Sequence, residues 1–87
     1  MKNFSDQIEY DNTASEDEIA KLVQLAELAY AQMYESTHPK DERDDALHHL
    51  NRALRIARNL KLKEKEAELS ERYAHIEAVF NAQFRYL

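Results

Sequence analysis

The four histidines are the residues of this chain best suited to metal or acid–base chemistry, and His48 and His49 are adjacent. Neighbouring residues on a helix point about 100° apart, so this pair cannot converge on one metal ion, whereas side chains four residues apart could. The residue four positions after His48 is Arg52, which is not a metal ligand. Asp44 and Asp45 precede the two histidines by four residues, which suits local ion pairs and leaves each set two ligands short of a zinc site. The pattern predicts no bound metal.

The other two histidines have no catalytic partners that the sequence reveals. His38 precedes Pro39 in a predicted loop, and His75 lies beside the apolar stripe of the last helix. Neither is accompanied by the serine or carboxylate arrangement that nucleophilic catalysis requires. The chain also contains no glycine, and phosphate-binding loops and dinucleotide turns depend on the backbone freedom of glycine. We therefore expect no catalytic residue, no cofactor and no enzymatic activity.

Charge is divided unequally between the two halves of the chain. The net charge is −5, with twelve acids against four bases in residues 1–45 and five acids against eight bases in residues 46–87. Attraction between the two halves of one molecule accounts for this pattern. Direct binding to nucleic acid is not expected, because it favours a net basic domain. The alternative is an acidic surface that occupies a basic, nucleic-acid-binding protein.

Length and composition define the elements that must position these residues. With 87 residues, no cysteine, no glycine and one proline, the chain predicts a single all-α unit without disulfides. A domain of this size buries only about 60–65% of its unfolded surface, so we expect self-association. The sequence has no apolar run of roughly 20 residues and no signal-like N-terminus, which indicates a cytoplasmic protein with no membrane segment. We expect a flexible acidic tail of residues 1–14 and a three-helix domain of residues 15–87.

The first predicted helix begins at Ser15 and ends between residues 34 and 36. Ser15 and Glu18 have the spacing of a capping box, in which each side chain bonds a free backbone donor of the first turn. Leu25 and Leu28 lie outside the apolar stripe and widen the apolar surface, which implies a second neighbour or an open patch. The stripe itself consists of Ile19, Leu22, Val23, Ala26, Ala29, Tyr30 and Met33.

The second predicted helix contains the clearest amphipathic stretch of the chain, residues 44–59, and ends near residues 59–62. It begins after Pro39, which cannot continue a helix from upstream, and Thr37 or Asp41 is expected to cap it. Asn59 is the expected C-terminal cap, because asparagine tolerates the left-handed conformation. The apolar stripe consists of Ala46, Leu47, Leu50, Ala53, Leu54 and Ala57.

The third predicted helix covers residues 63–84. Continuing the stripe of the second helix would reach only charged residues, and the next apolar set is shifted by one residue, or about 100°. This shift predicts a break near residues 59–62, and one bent helix is the alternative. Phe80 and Phe84 belong to an aromatic end with Tyr86 and Leu87, which is either core for the tail or an association surface. The apolar set is Leu62, Leu69, Tyr73, Ile76, Phe80 and Phe84.

Small and bulky residues alternate in the second helix as Ala46-Leu47, Leu50 and Ala53-Leu54. In the other two helices a small residue precedes a tyrosine by three positions, Ala31 before Tyr34 and Ser70 before Tyr73. These spacings resemble the tetratricopeptide repeat, a helical-hairpin family that binds proteins or peptides. The chain departs from the family pattern in lacking its usual glycine and proline, and in separating Ala31 from Ser70 by thirty-nine residues where the repeat has about 34. An ordinary three-helix bundle is the alternative.

The resemblance implies a binding groove between the first and third helices. Its positions would fall on Leu25, Leu28 and Gln32 of the first helix and on Ala67 and Glu71 of the third. We expect a non-enzymatic module for protein–protein interaction, such as an adaptor, chaperone-like or inhibitory protein, that forms homo-oligomers. The partner would be a protein, a peptide or a second copy. The alternative is the acidic regulator described above.

Overall fold

Helix α2 is the centre of the fold and packs along both of the other helices. A computed structural model describes the backbone of residues 3–84 and the side chains of residues 16–84. Helix α1 spans Asn3–Met33, α2 spans Pro39–Asn59 and α3 spans Lys63–Gln83, and the described residues contain no strand. The predicted all-α, three-helix fold is confirmed. None of the described helices has a stretch long and apolar enough to cross a membrane.

The core forms where the three apolar stripes meet. Met33, Leu50 and Ile76, one from each helix, are the largest fully buried side chains. Val23 and Tyr30 of the predicted α1 stripe are partly buried and pack against the core. Four fully buried alanines in α1 and α2 allow these two helices to approach closely. The buried apolar residues are Ile19, Leu22, Ala26, Ala29 and Met33 in α1, Ala46, Leu47, Leu50, Ala53, Leu54 and Ala57 in α2, and Leu69, Ile76 and Phe80 in α3.

Pro39 is the first residue of α2, where its fixed φ suits a helix and its missing N–H is not needed. The N-cap is His38, and its side chain makes no capping hydrogen bond. The prediction that Thr37 or Asp41 caps this helix is therefore wrong. Proline already fixes the first turn and removes one of the free backbone donors that a capping side chain would satisfy. The His38 N–H instead donates a 2.9 Å hydrogen bond to Ser36 Oγ.

A sharp corner separates α2 from α3, so the break predicted from the phase shift is confirmed and the single bent helix is not found. The Leu62 N–H donates to the Ala57 carbonyl at 2.9 Å and the Lys61 N–H donates to the Arg58 carbonyl at 3.1 Å. These two bonds define a Schellman motif. Its left-handed residue is Lys61, with φ of 60°, so the expectation that Asn59 takes this role is wrong. Asn59 is instead the last residue of α2, and Leu62, directly after the left-handed residue, packs against the core.

Helix α1 begins upstream of its predicted start. Its first residue is Asn3, so the prediction that the helix starts at Ser15 is wrong. A serine and a glutamate three residues apart fit a helix interior as well as a helix start, and neither glycine nor proline interrupts residues 3–15. The side chains of this segment lie outside the described residues, and the flexibility expected for residues 1–14 stays a prediction.

Candidate interaction surface

Helix α3 lies on one side of a layer formed by α1 and α2. The Arg72 guanidinium donates two hydrogen bonds of 2.6 Å to the Glu27 carboxylate and lies 4.9 Å from the ring centroid of Tyr30. From α2, the Arg43 guanidinium lies over the Phe80 ring at 4.4 Å. These contacts show which side of α1 and of α2 faces α3. They also show that an arginine–aromatic pair ties α3 to each of the other helices.

The opposite side of α1 carries the two leucines that lie off its core stripe. Residues two positions apart on a helix differ by about 200°, which puts their side chains about 160° apart. Leu25 precedes Glu27 by two residues and Leu28 precedes Tyr30 by two residues. Because Glu27 and Tyr30 face α3, both leucines face away from it.

The same two-residue spacing identifies the side of α2 that faces away from α3. Asp45 follows Arg43 by two residues. Ile56 precedes Arg58 by two residues, and Arg58 donates a 2.8 Å hydrogen bond to Glu66 of α3. Asp45 and Ile56 therefore lie on the side away from α3. We call this side of the α1–α2 layer the distal face. It comprises Lys21, Leu25, Leu28 and Gln32 of α1 and Asp45, His49, Arg52 and Ile56 of α2.

The distal face has an apolar centre and a polar rim. Leu25 is 46% exposed and Leu28 is 54% exposed, and Ile56 is partly buried beside the core. His49 is half-buried, and its Nδ1 atom is buried without a hydrogen-bond partner. At the edge of the face, an Arg52 nitrogen lies 3.5 Å from a Glu18 carboxylate oxygen and links α2 to α1. The face is therefore an apolar patch held on two firmly packed helices.

The structure does not bring together the two halves of the groove that the family resemblance implies. Ala67 and Glu71 each lie two residues from the buried Leu69, so they project from the outer side of α3. The leucines of the distal face and Gln32 point to the other side of the molecule. All five of these residues are exposed, but they belong to two separate surfaces with α3 between them.

The two phenylalanines expected at an association surface lie at the far end of α3 and differ in exposure. Phe80 is buried and Phe84 is half-buried, and their stacked rings have centroids 6.1 Å apart. Tyr34 contacts Phe84 edge-on at 5.4 Å, is 48% exposed, and hydrogen-bonds the Tyr30 hydroxyl at 3.1 Å. The hydrogen bond between the two tyrosine hydroxyls raises the pKa of Tyr30 above its usual value. Tyr34 was not among the candidate residues identified from the sequence, although its spacing of four residues from Tyr30 indicates that the two side chains meet on the helix. Tyr86 and Leu87 lie outside the described residues.

Among residues 16–84, two ion pairs join the acidic first half of the chain to the basic second half. They are Glu18 with Arg52 and Glu27 with Arg72. The hydrogen bonds that Arg72 donates to Glu27 raise the pKa of Arg72 above its usual value. Some acids of the first half therefore pair with bases of the second half within one molecule, in agreement with the attraction expected between the two halves.

The four histidines do not converge on one site. The His48 and His49 rings are tilted with centroids 5.8 Å apart, and His38 Nδ1 lies 3.1 Å from the Thr37 hydroxyl. His75 contacts the edge of Tyr30 at 6.2 Å. Among the described residues, no three histidine, aspartate or glutamate side chains come together as a metal site would require.

The chain has no match among protein-family models, characterised proteins or solved structures.

Proposed function

We propose that this protein is a small, non-enzymatic helical module for protein–protein interaction that self-associates and acts as an adaptor, chaperone-like or inhibitory protein. The observation that carries the proposal is the exposure of Leu25 and Leu28 on the distal face. Scattered single leucines are common on protein surfaces. Leu25 and Leu28 lie three residues apart on one side of α1 and form a small apolar patch, and exposed apolar patches are typical of interaction sites.

The rigidity of the surrounding helices favours binding through this patch. Leu22, Ala26 and Ala29, which alternate with the two leucines along α1, are buried against α2. The backbone that carries the patch is therefore fixed before a partner arrives, which reduces the entropic cost of association. The resemblance to the tetratricopeptide repeat supports the same class of function, with the distal face in place of the groove between the first and third helices. The absence of cysteine suits a reducing compartment such as the cytoplasm.

The alternative function, an acidic regulator of a basic protein, is supported by the exposed carboxylates of Glu35, Asp41 and Asp45 near the turn between α1 and α2. Salt distinguishes the two functions. Binding to a basic partner through these carboxylates would weaken steeply between 50 and 300 mM salt, because exposed charges are screened over about 10 Å at 0.1 M. Binding through the leucine patch would change little over the same range.

A photo-crosslinking experiment in cells tests the main proposal. One variant of the full chain carries a photo-reactive amino acid in place of Leu28, and a control variant carries it in place of Arg55, which is exposed on another side of α2. We expect covalent protein adducts at position 28 and few at position 55. Equal capture at both positions, or none at position 28, would contradict an interaction surface here.

A further inference from the structure

The connection between α2 and α3 consists of only three residues, Leu60 to Leu62. The middle residue, Lys61, has φ of 60°, a conformation in which the Cβ atom of any residue other than glycine lies too close to its own backbone. Leu62 is the N-cap of α3 and makes no side-chain capping hydrogen bond, although the first N–H groups of a helix have no partner within that helix. The corner is therefore short, strained and without a side-chain cap.

The sequence at this corner is also compatible with an uninterrupted helix. Neither glycine nor proline lies between positions 40 and 83, and leucine and lysine, the residue types at positions 60–62, are good helix formers. If the corner straightens, the N–H groups of residues 63–65 can donate to the carbonyls of residues 59–61, and Lys61 takes an ordinary helical conformation. Straightening therefore removes the backbone strain and supplies hydrogen-bond acceptors for the first turn of α3.

Within a single chain, straightening the corner is unfavourable because it detaches α3 from the α1–α2 layer. The apolar stripe of α3 would be exposed to water, and Leu62 would leave the core against which it packs. The 2.8 Å hydrogen bond from Arg58 to Glu66 would also break, because residues eight positions apart lie about 12 Å apart along a straight helix. The straightened form therefore requires another surface on which α3 can pack.

A second copy that has opened at the same corner supplies this surface. Its α1–α2 layer presents the same side that its own α3 has left, with the Glu27 carboxylate that receives Arg72 and the Arg43 guanidinium that lies over the Phe80 ring. The contacts between α3 and the layer are then formed again between two chains, and the corner is where the two forms differ. The shape and chemistry of α3 itself thus specify the occupant of this surface.

We propose that two copies of this chain exchange their α3 helices, and that α2 and α3 of each copy then form one helix of residues 39–83. The inference rests on the self-association in the proposed function and specifies how it occurs. The two long helices cross antiparallel at a two-fold axis near Lys61, which keeps α3 antiparallel to the α2 helix that it packs on. The exchange uses the side of the layer opposite the distal face, so that face stays available to another protein.

Sedimentation velocity of the full chain tests the exchange. The protein is unfolded in urea and refolded, because α3 has to detach before it can be exchanged. Refolding at about 5 µM should give mainly monomer and refolding at about 500 µM mainly dimer, since mass action favours the exchanged form at the higher concentration. Circular dichroism should show at least the helix content of the monomer in the dimer, because the corner becomes helical.

Two glycine variants test the role of the strained corner. Lys61→Gly should weaken the dimer at least tenfold, because glycine relieves the strain of the bent corner and disfavours the straight helix. Asn59→Gly is the matched control. Residue 59 is helical in the bent form and stays helical in the straight form, so glycine there affects both forms alike and should change the dissociation constant by less than about threefold.

Crosslinking between chains identifies the helix that is exchanged. The chain contains no cysteine, so single-cysteine variants with tags of different mass can be refolded together at about 500 µM and treated with a short bis-maleimide. Glu27→Cys in one chain and Arg72→Cys in the other should be joined, because these two positions face each other across the boundary between α1 and α3. Leu25→Cys, which lies about 160° away around α1, is the matched control and should give little product with Arg72→Cys.

Three results would overturn the exchange of α3. They are a wild type that stays monomeric after refolding at the higher concentration, equal effects of the two glycine variants on the dimer, and equal crosslinking to Arg72→Cys from positions 25 and 27. The first result also removes self-association from the proposed function. The distal face as a site for another protein is tested separately by capture at position 28, so failure of the exchange and failure of the proposed function are distinguishable.

Discussion

Arg72 shows how much a single side chain does at the boundary between α1 and α3. Its guanidinium donates two hydrogen bonds to one carboxylate and lies on one face of a tyrosine ring. A planar fork of donors is required for this, so lysine would not substitute for it. The side chains of Arg72 and Glu27 are 36% and 40% exposed, and this exposure limits the energy that the pair contributes because water and salt screen it.

We expect a double-mutant cycle of Glu27→Gln and Arg72→Met, measured by urea unfolding, to give a coupling free energy of about 0.5–1 kcal/mol. The coupling should fall in 1 M salt, since the pair is partly exposed. Lys65 and Glu68, an ion pair within α3 at 3.1 Å, are the control and should couple by about 0.3 kcal/mol. Equal coupling in the two pairs would show that the bidentate geometry contributes nothing beyond an ordinary surface pair.

At the scale of the helices, periodicity was sufficient to predict the core and the corner. Every residue of the α2 stripe is buried, because a three-and-four spacing determines which side of a helix is apolar wherever it packs. The one-residue shift before Leu62 likewise determined the break, since one straight helix cannot direct both stripes to the same core. The caps were predicted poorly. Local preferences at Thr37, Asp41 and Asn59 amount to about 1 kcal/mol or less, and the packing of Leu62 and the fixed φ of Pro39 outweigh them.

The candidate surface was predictable in part. Leu25 and Leu28 were identified because they lie off the stripe, which a single helix reveals. Their relation to Ala67 and Glu71 depends on which side of the α1–α2 layer α3 occupies. That choice follows from long-range contacts such as Arg72 with Glu27 and Arg43 with Phe80, forty-five and thirty-seven residues apart in sequence, and no local pattern specifies such contacts.

The left-handed lysine at the α2–α3 corner gives a prediction about stability. Lys61→Gly should raise the free energy of unfolding by about 1 kcal/mol, because glycine has no Cβ to clash at positive φ. Asn59→Gly should instead lower it by about 0.5–1 kcal/mol, since this residue is helical. Lys61→Ala, which keeps the Cβ atom, should change little. Urea unfolding checks all three variants, and a destabilising effect of Lys61→Gly would show that the corner is not strained.

For the whole molecule, the two-layer arrangement implies that α3 is the least firmly held helix. It buries only Leu69, Ile76 and Phe80, whereas α2 buries apolar residues along its full length against both neighbours. Native-state hydrogen exchange should therefore show α3 amides opening at a free energy roughly 1–2 kcal/mol below that of α2 amides. Ile76→Ala should lower protection in α3 more than in α2. A uniform loss in all three helices would show instead that the molecule opens as one unit.

The Schellman corner at Lys61 also bears on the order in which the chain folds. A chain with no glycine has no residue there whose own preference favours the left-handed turn, so the turn is unfavourable until Leu62 has docked on the packed α1–α2 pair. The loop of the α1–α2 hairpin, residues 34–38, is longer than the corner of residues 60–62, but its turn is one that Pro39 prepares in advance. The hairpin would thus form early in the folding pathway, and the corner with its third helix would close late, after the folding transition state.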